Sequence, residues 1–363
     1  MINTNPYALE SYNYNLPAQL IAQEPLEKRD TSRLMVLNRK QKTWQHYNFN
    51  ALPEILNSND VLIANNSKVL RARLLGYRVI ENNRSRFFLL GGKVEFLLLK
   101  ELEHCVWEGA FHASAKPKKG LKFFVQALGE EGLLGEIVRP SFESQYGTVV
   151  VKFNINPLKS QAAQVPLPPY IDRAPSVQDL VTYQTIYAKK EGSSAAPTAG
   201  FHFTSELMQK LKEKKIAWQE ITLHVGLGTF RPVKTLDIRE HKMHEEDYEI
   251  SQTVAQKLAQ YKKESRRFVA VGTTTLRTLE SGIKPGLQKT NLFLYPGCPG
   301  CCGNKVFPFK IVDALITNFH LPRSTLLMLV CAFAGRDYVL SAYEEAIRQR
   351  YRFYSYGDAM LIV

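Results

Sequence analysis

The chain has 363 residues, 45% of them apolar, and 47 Lys and Arg against 34 Asp and Glu, for a net charge of +13. That length supports a large core and two domains, and that composition excludes a disordered or fibrous protein. No apolar run approaches the roughly 20 residues needed to span a bilayer, the polar start Met1-Ile2-Asn3-Thr4-Asn5-Pro6 carries no secretory hydrophobic segment, and the positive excess favours a polyanionic partner; cytoplasmic residence and a nucleic-acid partner are the expectations.

The first 60 residues read as a short helix at 17–23, then strands at 34–37 and 44–49 about a turn at 38–42. An apolar run at 60–64 ends in Asn65-Asn66-Ser67, a buried strand with a polar loop at its end. From about 73 to 156 the pattern changes. Short β-rich runs at 94–99, 105–113, 121–128, 133–138 and 148–153 alternate with turn residues, which suggests a small sandwich or barrel. Within it, Lys116-Pro117-Lys118-Lys119-Gly120-Leu121-Lys122 is a basic hairpin tip, either a solvated loop or a phosphate contact. Lys68, Arg71 and Arg73 at its base, and the pair Arg266-Arg267, offer further positive charge.

Pro157 and the run Val165-Pro166-Leu167-Pro168-Pro169-Tyr170 mark a return to the first pattern. A helix at 205–215, capped by Thr204, precedes a strand at 218–225. A helix at 253–263 precedes a strand at 268–271, and another helix follows Gly272. Strands near 292–295 and at 313–317 come next. Ser324 then caps an apolar helix, Thr325–Ala334, that Gly335 ends; a helix at 338–348 and a strand at 359–363 close the chain. Alternation of this kind argues for an α/β sheet with crossovers.

Several polar blocks punctuate this second half. Ala195-Ala196-Pro197-Thr198-Ala199-Gly200-Phe201-His202-Phe203 is a glycine turn with a His just before a helix. In His224-Val225-Gly226-Leu227-Gly228 two glycines permit close approach to a flat ligand, without the G-x-G-x-x-G dinucleotide pattern. In Gly272-Thr273-Thr274-Thr275-Leu276-Arg277 the hydroxyls and helix N–H groups either cap the helix or hold a carboxylate or phosphate. Ile316-Thr317-Asn318-Phe319-His320-Leu321-Pro322-Arg323-Ser324 compresses a strand end, a polar loop and a helix start, and sets a His and an Asn beside open N–H groups that favour anions. Each of these histidines is as readily a structural residue.

Two clusters look metal-like and are read otherwise. His241-Lys242-Met243-His244 has an H-x-x-H spacing, not the H-E-x-x-H of zinc hydrolases, so a structural or substrate-contacting role is expected. Cys298-Pro299-Gly300-Cys301-Cys302 has one C-x-x-C and no second to complete four zinc ligands, so it reads as a surface turn. Cys105 and Cys331 sit in apolar surroundings and read as core.

These blocks, with Tyr351-Arg352-Phe353-Tyr354-Ser355-Tyr356-Gly357-Asp358-Ala359-Met360 near the end, stand in an order that closely resembles the S-adenosylmethionine:tRNA ribosyltransferase-isomerase family of the queuosine pathway. The resemblance begins at Arg29-Asp30-Thr31-Ser32-Arg33-Leu34, continues through Asn65-Asn66-Ser67-Lys68-Val69, and is weakest between about 73 and 156. Asn66 and Ser67 stand where that family more often has Asp and Thr, and Arg71 where a proline is usual.

The resemblance implies a mixed α/β main domain in two parts, 1–72 and 157–363, with a small β-barrel domain inserted at 73–156. It implies that S-adenosylmethionine is a co-substrate whose ribosyl part is transferred to 7-aminomethyl-7-deazaguanine in tRNA, without metal or other cofactor. A monomer off the membrane is expected. His202, His320 and Asp358 become the acid/base candidates, and Gly226, Gly228, Thr273, Thr274 and Arg277 the candidates for holding the co-substrate. Two other classes stay open on sequence: an S-adenosylmethionine-dependent RNA methyltransferase, although no methyltransferase glycine motif is present, and a non-catalytic tRNA-binding protein.

Overall fold

The structure is a computed structural model that describes residues 5–80, 89–126, 132–140, 148–226, 233–297 and 307–363. The chain opens with a hairpin of β1 (Arg33–Asn38) and β2 (Thr43–Asn48), a single helical turn α1 (Leu52–Ile55), β3 (Asp60–Asn65) and β4 (Ser67–Val69). Six strands follow: β5 (Arg73–Ile80), β6 (Leu89–Glu103), β7 (Val106–Ala113), β8 (Lys122–Val125), β9 (Leu133–Arg139) and β10 (Val149–Phe153). They close into a barrel in the order β10-β7-β6-β5-β8-β9. Its alternating residues turn Leu74, Phe96, Phe123, Ile137, Val151 and Phe153 inward to one apolar core.

The chain returns through α2 (Asp179–Thr182) and β11 (Lys190–Ser193), which pairs parallel to β4. Then come α3 (Ser205–Glu213), β12 (Ala217–Leu223), β13 (Glu246–Ile250), α4 (Gln252–Lys263), β14 (Arg267–Val271), α5 (Thr273–Ser281) and β15 (Gly286–Thr290). The last elements are β16 (Ala314–Asn318), α6 (Thr325–Ala334), α7 (Arg336–Arg348) and β17 (Ala359–Ile362). Among the described residues the main sheet runs β15-β13-β12-β3-β14-β16-β17-β1-β2. Its centre, β12-β3-β14-β16, is parallel. Every residue of β3 and of β16 is buried, as a sheet covered on both faces requires. The chain leaves β3 for β12 on one side and later returns to β14 on the other. Such a reversal opens a crevice at the carboxyl ends of the strands.

The predicted caps form: the hydroxyls of Thr204 and Ser324 accept from the N–H of Leu207 and Leu327. Helix α6 is sealed in the core from Leu327 to Ala334, and no single helix among the described residues is long and apolar enough to cross a membrane.

Several expectations are corrected. The 17–23 helix shrinks to a 3-10 turn at Ala18–Leu20, because the next residues bridge to the C-terminal loop: Ala22 N–H donates to Phe353 C=O, and Phe353 N–H to Leu20 C=O. The 292–295 strand does not form. Its backbone is taken by side chains instead: Arg277 Nε donates to Leu292 C=O and Leu292 N–H to Thr290 Oγ. Strands β4, β5, β11, β13 and β15 were not foreseen. Of the cationic residues expected to meet phosphates, Arg267 is committed to Asp60 at 2.5 Å, Arg73 to Glu95 at 2.8 Å and Lys68 to Glu191 at 2.9 Å.

Candidate active site at the carboxyl ends of the parallel strands

The carboxyl ends of β3, β12, β14 and β16 converge, and Asn65 ties the first two. Its Oδ1 accepts from Leu223 N–H and Ser67 N–H, and its Nδ2 donates to Leu223 C=O at 2.9 Å. Beside it, Asn66 donates to Glu220 and accepts from Thr222 Oγ. An amide does both; an aspartate could not donate to Glu220.

A cleft of about 710 Å³, its open mouth included, lies over these ends. Gly272, Thr273 and Thr274 line it from the start of α5; Ser324 and Leu326 from the start of α6; Thr317, Asn318 and His320 from the end of β16. Gly272 has φ 93°, the left-handed region a glycine enters without strain, and this turns the chain sharply from β14 into α5. The N–H groups of Thr273 and Thr274 and the Thr273 hydroxyl have no acceptor among the described residues. A helix start so exposed is a seat for an anion. Tyr170 and Tyr354 form an aromatic wall, ring centroids 4.7 Å apart, with the Tyr170 hydroxyl bonded to buried Ser355 Oγ at 2.6 Å.

His320 is fixed by its backbone. Its N–H donates to Tyr343 Oη at 3.0 Å and its C=O accepts from Tyr14 Oη. On the ring, Nε2 lies 2.7 Å from Thr317 Oγ, whose hydroxyl reaches the Asn318 carbonyl at 3.4 Å. That chain assigns the imidazole proton to Nε2 and leaves the Nδ1 lone pair without a protein partner. Burial lowers the His320 pKa to about 3, so the ring is neutral at rest.

His202 does not line this cleft. Its Nε2 accepts from Asn318 Nδ2 at 3.2 Å, which places the proton on Nδ1, 2.7 Å from Ser32 Oγ. Phe49 stacks on the ring at 4.9 Å. Burial, with Arg29 and Arg352 nearby, lowers its pKa to about 3. What His202 holds is Asn318, whose Nδ2 also donates to Tyr354 C=O and whose Oδ1 accepts from Thr198 Oγ. Asn318 lines the cleft with its amide clamped on all sides.

Asp358 lies outside the lining too. Its two oxygens accept from the N–H groups of Arg33 and Arg352, both at 2.8 Å, which joins the start of β1 to the C-terminal loop. Burial raises its pKa, and the two backbone donors oppose that rise. Arg277 points away from the cleft: Nη1 pairs with buried Glu246, whose Oε1 accepts from Gly226 N–H at 3.1 Å. Gly226 lines a second cleft rather than this one. Gly228 and the Cys298, Cys301 and Cys302 cluster lie outside the described residues. His241 packs edge-on against Phe293, and Cys331 is fully buried.

Sequence reasoning passed over Tyr170, Tyr354 and Ser355. The last two sit in the same C-terminal block as Asp358, where the acidic residue drew the attention. Asn318 stood in view beside His320, but its role depends on partners from two distant segments, Thr198 with His202 and Tyr354.

Comparisons with known proteins agree with this fold. The family model described as queuosine biosynthesis protein matches residues 9–362. The S-adenosylmethionine:tRNA ribosyltransferase-isomerase of Carboxydothermus hydrogenoformans is 47% identical over 365 residues, covering 98% of this chain and 99% of that protein. That of Clostridioides difficile is 44% identical over 361 residues, 97% and 98% of the two. A crystal structure of S-adenosylmethionine tRNA ribosyltransferase from Thermotoga maritima superposes with a TM-score of 0.52 at 38% identity, over 97% of this chain and 99% of that one. Near-complete coverage at this identity, together with the strand-end cleft and the closed barrel, makes the chain a member of the queuosine biosynthesis family.

Proposed function

We propose that the chain acts as an S-adenosylmethionine:tRNA ribosyltransferase-isomerase. It transfers the ribosyl part of S-adenosylmethionine to 7-aminomethyl-7-deazaguanine at the wobble position of tRNA and rearranges it to an epoxycyclopentanediol. Epoxyqueuosine forms, and adenine and methionine leave. The observation that carries this reading is one cleft in which a helix start without acceptors, an aromatic pair and a neutral imidazole face the same space.

The roles follow from the chemistry each group offers. The N–H groups and hydroxyl at Thr273 and Thr274 take the methionine carboxylate. The Tyr170 and Tyr354 rings suit a flat adenine or the sulfonium. His320 handles the proton. A carboxylate seated on α5 would raise its pKa from about 3 towards neutrality, since a nearby negative charge favours the imidazolium. His202 and Asp358 act as positioning residues, one through Asn318 and the other through the C-terminal loop. The +13 charge suits tRNA as the partner, and modification of tRNA suits the cytoplasm as the place of action.

The products test it. Incubation with S-adenosylmethionine and tRNA bearing the aminomethyl base should release adenine and methionine in equal amounts, read by mass spectrometry, and only with that tRNA. S-adenosylhomocysteine as the main product would overturn the reading in favour of methyl transfer. No turnover would favour a binding protein.

A further inference from the structure

A second cleft, about 1240 Å³ with its mouth, lies where the barrel meets the main sheet. It borders the first: Val225 lines both, and Ser194 in the second is followed by Ala195 in the first. Its walls hold a different chemistry. His224 stands at the end of β12, its N–H bonded to Asp247 C=O across to β13. Neither ring nitrogen has a partner among the described residues. Nδ1 is buried, and the ring lies flat on Gly192, where a Cβ would meet Nδ1 and Cε1 at 2.9 Å. An unpartnered acceptor is buried at less cost than an unpartnered N–H, so the proton belongs on Nε2, leaving an accessible donor. Burial lowers the His224 pKa, which keeps the ring neutral.

Around this donor are acceptors. Asp247, exposed on β13, has no side-chain partner among the described residues, and Glu108 faces it from the barrel, its Oε1 holding Thr148 at 2.5 Å. Glu246, buried against Arg277, fixes Gly226 on the same wall. Lys100 is exposed at the rim. Carboxylates are poor hosts for a nucleotide phosphate. They are good hosts for the N–H edge of a guanine-like base and for an amine upon it, while a single N–H donor suits that base's carbonyl oxygen.

Resting on the function proposed above, we propose that this second cleft receives the amine-bearing purine-like base, extruded from the RNA, while the first holds the S-adenosyl donor. Asp247 and Glu108 accept the base's N–H groups, the His224 Nε2–H meets its carbonyl, and Lys100 meets the flanking phosphate. The two ligands then meet across Val225, each on its own set of side chains, so that binding of one can be lost without the other.

That independence is the test. Anticodon stem-loops carrying the aminomethyl-deazaguanine, guanine or an abasic site at one position are titrated by fluorescence anisotropy at fixed salt, and S-adenosylmethionine separately by calorimetry. Asp247→Asn should weaken the aminomethyl stem-loop by about 10- to 100-fold, the range for losing a charge-assisted hydrogen bond, and His224→Gln by about 2- to 10-fold, the range for losing a neutral one. Binding of the abasic stem-loop and of S-adenosylmethionine should stay within about twofold of wild type. Asp247 is exposed, so its variant keeps the test valid if His224→Gln fails to fold. Unchanged affinity in the Asp247 variant, or equal loss for the abasic stem-loop, would overturn the assignment. Failure of the wild type to release adenine would instead sink the catalytic reading, and base-dependent binding would still judge the cleft.

Discussion

The barrel and the cleft of the main domain are built on opposite terms. Among the described residues from 73 to 153, Thr148 is the only polar residue classed as buried. The barrel core is a cluster of rings and aliphatics, with Phe96, Phe123 and Phe153 about 6 Å apart, and Gly109 and Gly135 leaving room for the rings. The main domain buries Ser32, Asn65, His202, Thr274, Thr317, Asn318, His320 and Asp358 around one crevice. Polar groups cost free energy to bury unless paired, and nearly all of these are paired. The exceptions sit where a ligand would supply the partner: the helix start at Thr273 and the His320 Nδ1. The lesson is that the barrel is held by hydrophobic packing and the crevice by a hydrogen-bond network left open at chosen atoms.

Two substitutions put this contrast at risk. His320→Ala should lower adenine release by about 10²- to 10⁴-fold, the span for an acid/base group, with the unfolding midpoint of the barrel unmoved. Near-normal turnover at saturating substrates would remove His320 from the chemistry. Phe123→Ala should do the reverse, costing roughly 3–5 kcal/mol in urea unfolding by opening a cavity among the barrel rings. Turnover measured well below the new midpoint should stay within about twofold. A variant of normal stability and poor turnover would show the barrel core to be coupled to the site.

The same contrast explains what could be read from the sequence. Caps and central strands were legible because they depend on local pattern: Thr204, Ser324 and the apolar run into Asn65. Thr273, Thr274 and His320 were legible because a strand end, a glycine or proline and a helix start mark a crevice edge. The pairing of Arg277 was hidden because its partner Glu246 lies on β13, an inner strand whose sequence Glu-Asp-Tyr-Glu-Ile is too polar to read as one. Asp358 was read as an acid/base group because no pattern reveals that two backbone N–H groups, from residues 33 and 352, already occupy its oxygens. The hydrogen bonds that decide such roles join separate segments: Arg277 to Glu246, Arg33 to Asp358, Asn318 to His202.

Acid should find the crevice before the barrel. The pKa values of His202 and His320 fall from an ordinary 6.5 to about 3 on folding. The unfolded chain therefore takes up protons below pH 6.5 that the folded chain refuses until about pH 3, and stability falls as the pH drops through that window. Between pH 7 and 5, where carboxylates scarcely titrate, each histidine should remove about 2 kcal/mol. Urea unfolding against pH reads the slope, and His202→Gln should remove that residue's share, about 2 kcal/mol between pH 7 and 5, whatever that variant does to absolute stability. A slope unchanged by the substitution would mean that His202 is charged in the folded state.

The smallest effect concerns the outside of the barrel. Lys116, Lys118 and Lys119 are exposed at a tip that turns at Gly120, φ 82°, and have no ion-pair partner among the described residues. Of the other cations read as phosphate contacts, Arg73, Lys68 and Arg267 are spent on Glu95, Glu191 and Asp60, and Arg266 donates to the carbonyls of Ser58 and Asp60. Beyond the second cleft, a barrel contact with RNA would run through this solvated tip and not through the core. Each phosphate neutralised adds about 0.7–0.9 to the slope of log affinity against log salt. Lys118→Glu with Lys119→Glu should lower that slope by about 1.5 for full-length tRNA and leave thermal stability unchanged, since surface charges contribute little to folding. S-adenosylmethionine binding in the distant crevice should not respond. An unaltered slope would take the tip out of the RNA footprint and leave the barrel as a wall of the second cleft, contributing Glu108 and Lys100 but no outer contact.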